Sequence, residues 1–262
     1  MSTSDAERWL GSLDPVGWRF GLERIQALLA ELGQPQRAYV SAHVVGTNGK
    51  SSVAAMAAAL LEAHGHAAGA YLSPHTDRWA QRIVIRGEEV AAGAFTAAAG
   101  RVREAIARVE PRLPGGERIT QFEAATAVAF VALADAEVEF AVIEAGLGGR
   151  LDATNVLPSR VTALTSIGLD HTQWLGDTAL EIAAEKLAVL QPGSTLVVGR
   201  LAPEILDLAR LTARERGAAI VLADEPAAGS PSSSDAPYLH RNLSVALALV
   251  RGLIVAVDVE AV

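Results

Sequence analysis

Gly46-Thr47-Asn48-Gly49-Lys50-Ser51-Ser52 joins a short run of mostly apolar residues, Val40–Val45, to a stretch of small residues, Ser51–His64, that stops at Gly65. The first run reads as a strand and the stretch after the turn as a helix. Strand, glycine turn, helix is the setting that a phosphate-binding loop requires. The loop is close to the pattern G-x-x-x-x-G-K-[ST], with Val44 where that pattern has its first glycine. The physical logic survives the change. Backbone N–H groups at the turn and the helix N-terminus cradle phosphates, Lys50 neutralises them, and a serine hydroxyl, Ser51 or Ser52, reaches Mg2+. The plain alternative is an ordinary glycine turn that happens to end in Lys-Ser.

Working outward, Gly21–Leu32 repeats apolar residues at three and four (Leu22, Ile25, Leu28, Leu29, Leu32) and predicts a helix stopped by Gly33. Further strands are expected at Gly69–Leu72, Phe140–Ile143, Val161–Ser166, Thr195–Val198 and Ala219–Leu222. Helices are expected at Ala94–Val109, Gln121–Ala134, Leu180–Leu190 and Pro203–Arg216, and Arg82–Glu88 reads as a hairpin arm. Uniformly apolar strands alternating with helices predict an α/β fold, a mostly parallel sheet covered on both faces. Pro226–Pro237 is the one low-complexity stretch and reads as a flexible loop or linker. The expected organisation is a phosphate-loop domain over 1–225, this linker over 226–237, and a terminal helical pattern with a short apolar tail over 238–262.

Half of the 262 residues are hydrophobic, 20% are charged and 5% aromatic, the profile of a chain that buries a core. A net charge of -8 argues against general nucleic-acid or anionic-membrane binding, though not against one small anion held by local dipoles. There is no cysteine, which removes disulfides and thiolate metal sites and fits a reducing cytoplasm. Met1 to Trp9 is polar and acidic, so no secretory signal is expected. The longest apolar run, Ala124–Ala134, is too short to span a bilayer and reads as a buried helix.

His43-Val44-Val45-Gly46-Thr47-Asn48-Gly49-Lys50 resembles the GTNGK loop of the Mur ligase superfamily. The upstream Gly21–Gln36 resembles the N-terminal helix of its folylpolyglutamate synthase/dihydrofolate synthase branch. Further matches follow in order: Leu72-Ser73-Pro74-His75, Gln121-Phe122-Glu123, the run from Glu144-Ala145-Gly146-Leu147-Gly148-Gly149 to Asn155, Ile167–Thr172, and Glu185-Lys186. The likeness covers about residues 9–200 well and 238–250 weakly. It implies a three-layer, mostly parallel P-loop domain of Mur ligase type.

The same resemblance implies an ADP-forming amide ligase that adds L-glutamate to folate or to dihydropteroate, working as a cytoplasmic monomer on small molecules. Gly46, Thr47, Asn48, Gly49, Lys50, Ser51 and Ser52 would bind ATP, and Asn242 would contact the adenine. One Mg2+ would sit near Ser51 or Ser52, with Glu144 shared towards a second Mg2+ that Ser73, Glu144 and His171 would hold, a donor mix that ion accepts. Lys50, Glu144, His171 and Lys186 would act in catalysis, Lys186 matching a lysine that the family carbamylates. Taken singly, Glu144 reads equally as a strand-end carboxylate, and His171 as a loop histidine. Arg150, Asp152 and Asn155 lie in a glycine-rich loop where turn-making is an alternative role.

The match is not uniform. Ser51 replaces the glycine usual in this branch, Ala80-Gln81 replaces Asn-Glu before Arg82-Ile83, and Arg241 replaces a glutamine in the run Tyr238–Asn242. Family members continue into a second, Rossmann-like domain, and a fragment and a natural short form both fit this sequence. A different superfamily ligase and a nucleotide-binding module without full activity are the rival readings.

Overall fold

The computed structural model describes residues 1–14, 21–75, 77–223 and 237–260, with side chains as far as residue 254 in the last segment. Pro226–Asp235 and Ala236, most of the expected linker, lie outside the described residues. Helices α1 (Thr3–Ser12) and α2 (Glu23–Glu31) precede β1 (Val40–Val45), α3 (Lys50–Ala63) and β2 (Ala68–Tyr71). Then come β3 (Ile83–Ile85), β4 (Glu88–Glu89), α4 (Ala92–Val109), α5 (Gln121–Asp135), β5 (Phe140–Glu144) and β6 (Val161–Leu164). The chain ends in α6 (Thr172–Leu175), α7 (Ala179–Leu187), β7 (Thr195–Val198), α8 (Pro203–Glu215), β8 (Ala219–Leu222) and α9 (Pro237–Glu260).

The strands form one sheet in the order β4-β3-β2-β5-β1-β6-β7-β8, parallel from β2 to β8 and closed at one edge by the antiparallel pair β3 and β4. The predicted hairpin arm is that pair. Strand side chains alternate between faces, and each face has its own helices. Ala42, Val44, Phe140, Val142, Val161 and Ala163 point to one side, where α3 and α9 cover them through Val53, Ala57, Leu61, Ala246 and Leu249. On the other side Ala141 and Ile143 meet α1, α2, α4 and α5. Further along that side Val45, Leu164, Leu196 and Val198 meet α7 and α8. The result is the three-layer architecture that the resemblance implies.

Two helices show how the sequence encodes its layer. In α5 every residue from Glu123 to Leu133 is buried, as a helix apolar on all sides requires. Its start is fixed by a capping box in which the Thr120 hydroxyl accepts from Glu123 N–H and Glu123 accepts from Thr120 N–H. By contrast, α1 buries only Ala6 and Leu10, so no apolar stripe announces it and it was not among the expected helices. Its readable signal is the Ser2/Asp5 capping box. Among the described residues no helix is long and apolar enough to cross a membrane.

Chain order makes a crevice at β1. From β1 the chain crosses to β2 on one side; β5 then fills the gap beside β1, and β6 follows on β1's other side. At such a switch point the loops leaving the strands' C-terminal ends part and leave room for a ligand. The loops after β1, β5 and β6 meet there.

Candidate functional site

The loop after β1 is held open by its neighbours. Thr47 N–H donates to the Ser166 carbonyl at 2.8 Å and Asn48 N–H to the Ser166 hydroxyl at 3.0 Å, while the Thr165 hydroxyl donates to the Asn48 carbonyl at 2.7 Å. The residues just after β6 therefore clamp the turn. Gly46 and Gly49 have φ of 146° and 85°, backbone that side chains rarely adopt. At Gly49 a Cβ would also come within 2.5 Å of the Asn242 amide oxygen, so α9 lies directly against the loop. The helix that follows starts at Lys50, one residue earlier than predicted, and no side chain caps it. Its first-turn N–H groups and dipole are directed at the crevice.

Glu144 closes the crevice from the end of β5. Its side chain is 1% exposed, and its Oε1 accepts the Ser51 hydroxyl at 3.0 Å while Oε2 accepts Ser73 N–H at 2.9 Å. Burial pushes this carboxylate above its ordinary range, only partly offset by those two hydrogen bonds and by the charges of Lys50 and Arg82. Arg82 reaches the Ser73 hydroxyl at 3.4 Å and His75 Nδ1 at 2.9 Å, with its guanidinium 4.6 Å from the Trp79 ring centre. The sequence puts Arg82 in a hairpin arm and in the run Ala80–Ile83 of the family resemblance; its burial beside a candidate ligand is a signal that needs the fold.

The loop after β5 runs under α5 and over α7. A Cβ on Gly146 would enter the Phe122 ring, and one on Gly149 would lie 2.5 Å from the Glu185 carbonyl oxygen and 2.9 Å from Lys186 Cα. Both contacts at Gly149 are backbone, which cannot swing aside. Gly149→Ala is therefore expected to destabilise the protein by about 1–3 kcal/mol, the usual range for overpacking. A denaturant midpoint equal to that of the unchanged protein would remove this close approach from the account.

Lys186 sits on α7 beneath that loop, 5% exposed. Burial lowers its amine from 10.5 to about 8, and Lys50 repels its charge further, while Asp170 and Asp152 favour it. The two lysines therefore share one electrostatic environment. Ser52 is half-buried in the first turn of α3.

Of the predicted metal ligands, Ser51, Ser73 and Glu144 are brought together by direct hydrogen bonds. Those bonds do not extend to His171 among the described residues. His171 caps the one-turn helix α6 from a left-handed conformation, with Nε2 3.6 Å from an Asp170 oxygen. Among the described residues no three His, Asp or Glu side chains form a metal-holding group, so any ion here would rest on hydroxyls as well as on Glu144. Arg150 is tied to Glu185 by its N–H and its guanidinium, and the Asn155 amide donates to the Arg150 carbonyl at 2.8 Å. Both sets of bonds hold the turn.

No family model matches the chain. Known proteins do. The dihydrofolate synthase/folylpolyglutamate synthase of Mycobacterium tuberculosis is 37% identical over 214 residues, which is 77% of this chain and 43% of that protein. The apo form of L. casei FPGS superposes with a TM-score of 0.89 at 30% identity, over 98% of this chain and 68% of that one. A solved FPGS–AMPPCP–folate complex gives the same TM-score at 29% identity and the same coverage. The chain spans about half the length of the curated relatives it matches.

Proposed function

We propose that this chain, which belongs to the folylpolyglutamate synthase/dihydrofolate synthase family, is the ATP-binding portion of an ADP-forming ligase that adds L-glutamate to folate or to dihydropteroate. The observation that carries the reading is the meeting, at one edge of the sheet, of an uncapped helix N-terminus with Lys50 and a buried carboxylate, Glu144, joined to Ser51. A similar protein is solved with AMPPCP and folate. The cysteine-free composition supports a cytoplasmic place of work.

In this reading the first-turn amides of α3 and Lys50 hold the β- and γ-phosphates. Asn242, packed against Gly49, is assigned to contact the adenine. The substrate carboxylate attacks the γ-phosphorus, ADP leaves, and an acyl phosphate forms. The amine of glutamate then attacks the acyl carbon, phosphate departs, and the ammonium proton is lost to solvent. Lys50 acts mainly by charge, holding the phosphoryl group in line as negative charge shifts towards ADP.

The buried Glu144 carboxylate, the Ser51 hydroxyl bonded to it and the nearby Ser73 hydroxyl are hard oxygen groups of the kind Mg2+ takes. We assign these residues, with Ser52 and His171 as the further candidates, to holding it. When bound there the ion supplies charge stabilisation to the phosphates.

Lys186 is assigned as a carbamate. An amine adds CO2 only when neutral, releasing one proton, and with its value near 8 the neutral fraction of Lys186 rises steeply between pH 7 and pH 9. Under 13CO2 a carbamate carbonyl resonance is expected to grow over that interval and to be missing from Lys186→Met. A resonance that persists in the variant would move the modification elsewhere.

Substrate identity is tested by ADP release with dihydropteroate, tetrahydrofolate and a muropeptide, each with its amino acid. Release with either of the first two, and not with the muropeptide, is the expected result. Release with the muropeptide alone would assign the chain to another branch of the superfamily.

A further inference from the structure

His43 has no part in the site as described, yet it is a polar side chain in the middle of the most central strand. It is 1% exposed, and its companions on β1 include Ala42, Val44 and Val45. Strand stability gives no reason for an imidazole there, since burying a polar ring costs free energy unless its hydrogen bonds are met. It lies on the sheet face that meets α5 and α7, in register with Ile143 and Thr162. From there it points to the short helical turn Ala153–Val156.

A connected chain of hydrogen bonds begins at this ring. His43 Nε2 is 2.7 Å from the Thr154 hydroxyl, and that hydroxyl donates to Asp152 Oδ1. The same carboxylate accepts Thr154 N–H at 2.9 Å and, on Oδ2, Leu147 N–H at 2.7 Å. Thr154 is fully buried and Asp152 nearly so. Leu147 belongs to the glycine-rich turn directly after Glu144. The chain thus couples the strand that leads into the phosphate loop to the turn that leaves the candidate metal carboxylate, residues 104 apart in sequence if counted from His43 to Leu147 (147 − 43).

The direction of the bonds fixes the protonation of the ring. A hydroxyl carries one proton, and Thr154 gives it to Asp152, which accepts at both oxygens. His43 must then be the donor to Thr154, through Nε2–H. Burial keeps the ring neutral, holding its value near 3. We propose that His43 is a positioning residue, a constant Nε2–H donor that fixes the Asp152 carboxylate and, through it, the Gly146–Gly149 turn beside Glu144. That this turn serves phosphoryl transfer rests on the ligase reading; that His43 holds it does not.

The test compares the full chain with His43→Leu, which fills the space without a donor, and His43→Gln, whose amide restores one. Long-range 15N–1H spectra of the unchanged protein should show His43 protonated on Nε2; protonation on Nδ1 overturns the proposal whatever the variants do. In His43→Leu the Leu147 amide should exchange with solvent about tenfold faster or more, the effect of one lost hydrogen bond, with β1 and α3 amides unchanged. His43→Gln should restore most of that protection. Equal Leu147 exchange in all three proteins would also overturn the proposal. In ADP release, His43→Leu should lower turnover while AMPPCP affinity stays within about twofold, and His43→Gln should recover it. If the unchanged protein releases no ADP with any acid, the ligase reading fails, and the spectra and exchange still decide the role of His43.

Discussion

Lys50→Ala is expected to weaken AMPPCP binding by roughly 30- to 150-fold, the equivalent of about 2–3 kcal/mol for a lost charge-assisted contact with phosphate. The folded state should lose little. Lys50 is half-buried, and it donates to the Thr47 carbonyl at 3.3 Å, a contact of ordinary weak strength. A change in unfolding free energy of about 0.5 kcal/mol or less is the expected range for such a residue. Calorimetry and denaturant melts separate the two effects. There is a second consequence. Lys50 helps depress the Lys186 amine, so its removal should raise that value and move carbamate formation to higher pH. Unchanged nucleotide affinity in this variant would mean that the loop after β1 does not hold phosphate.

Glu144→Gln and Glu144→Ala should part in stability and agree in activity. Gln keeps an acceptor for Ser73 N–H, its NH2 donates to the Ser51 oxygen while the Ser51 proton goes to the Ser73 carbonyl, and it removes a charge that burial already disfavours, so its stability should lie within about 1 kcal/mol of the unchanged protein. Ala leaves Ser73 N–H without its acceptor and the Ser51 hydroxyl with only the Ser73 carbonyl at 3.3 Å, and should cost about 1–3 kcal/mol. Turnover should fall roughly 10²- to 10³-fold or more in both, the range seen when one preorganised electrostatic partner of a reacting phosphate or oxyanion is removed. ADP release at saturating ATP checks the second effect and thermal melts the first. Near-normal turnover in Glu144→Gln would take Glu144 out of the catalytic set.

Much of the fold is readable from the chain because its strands are short apolar runs between glycine, proline or polar breaks. Val40–Val45, Thr195–Val198 and Ala219–Leu222 were assigned to the residue on that basis. Elements without such contrast were not. The α1 helix shows the inner layer only Ala6, Leu10 and part of Trp9, and α6 is a single turn, too short for any periodicity. The phosphate loop was legible because its chemistry needs glycines, a cation and a hydroxyl in one contiguous segment. Glu144 and Ser73 were legible in part, since each follows an apolar strand and parallel strands end at a common edge.

What the sequence cannot display is which distant polar side chains pair. The clamp of Thr165 and Ser166 on Asn48 and the chain from His43 to Leu147 both join residues more than 100 positions apart, and both depend on which strand lies beside β1. Nothing in the local spacing of His43 or Thr165 distinguishes them from satisfied core residues. His171 is named by its motif alone: in the folded chain its Nε2 lies 3.6 Å from an Asp170 oxygen, and the hydrogen bonds joining Ser51, Ser73 and Glu144 do not include it.

A crystal structure of this chain with AMPPCP and Mn2+ in place of Mg2+ tests the central claim directly, because the ion's anomalous signal marks its position independently of the protein trace. The account predicts the β- and γ-phosphates against the N–H groups of residues 46–52 and Lys50 Nζ. It predicts an anomalous peak about 2.1–2.3 Å from a Glu144 oxygen and from a hydroxyl of Ser51, Ser52 or Ser73, near the ideal metal–oxygen distance. Phosphates bound away from that turn, or a metal peak that Glu144 does not touch, would contradict it.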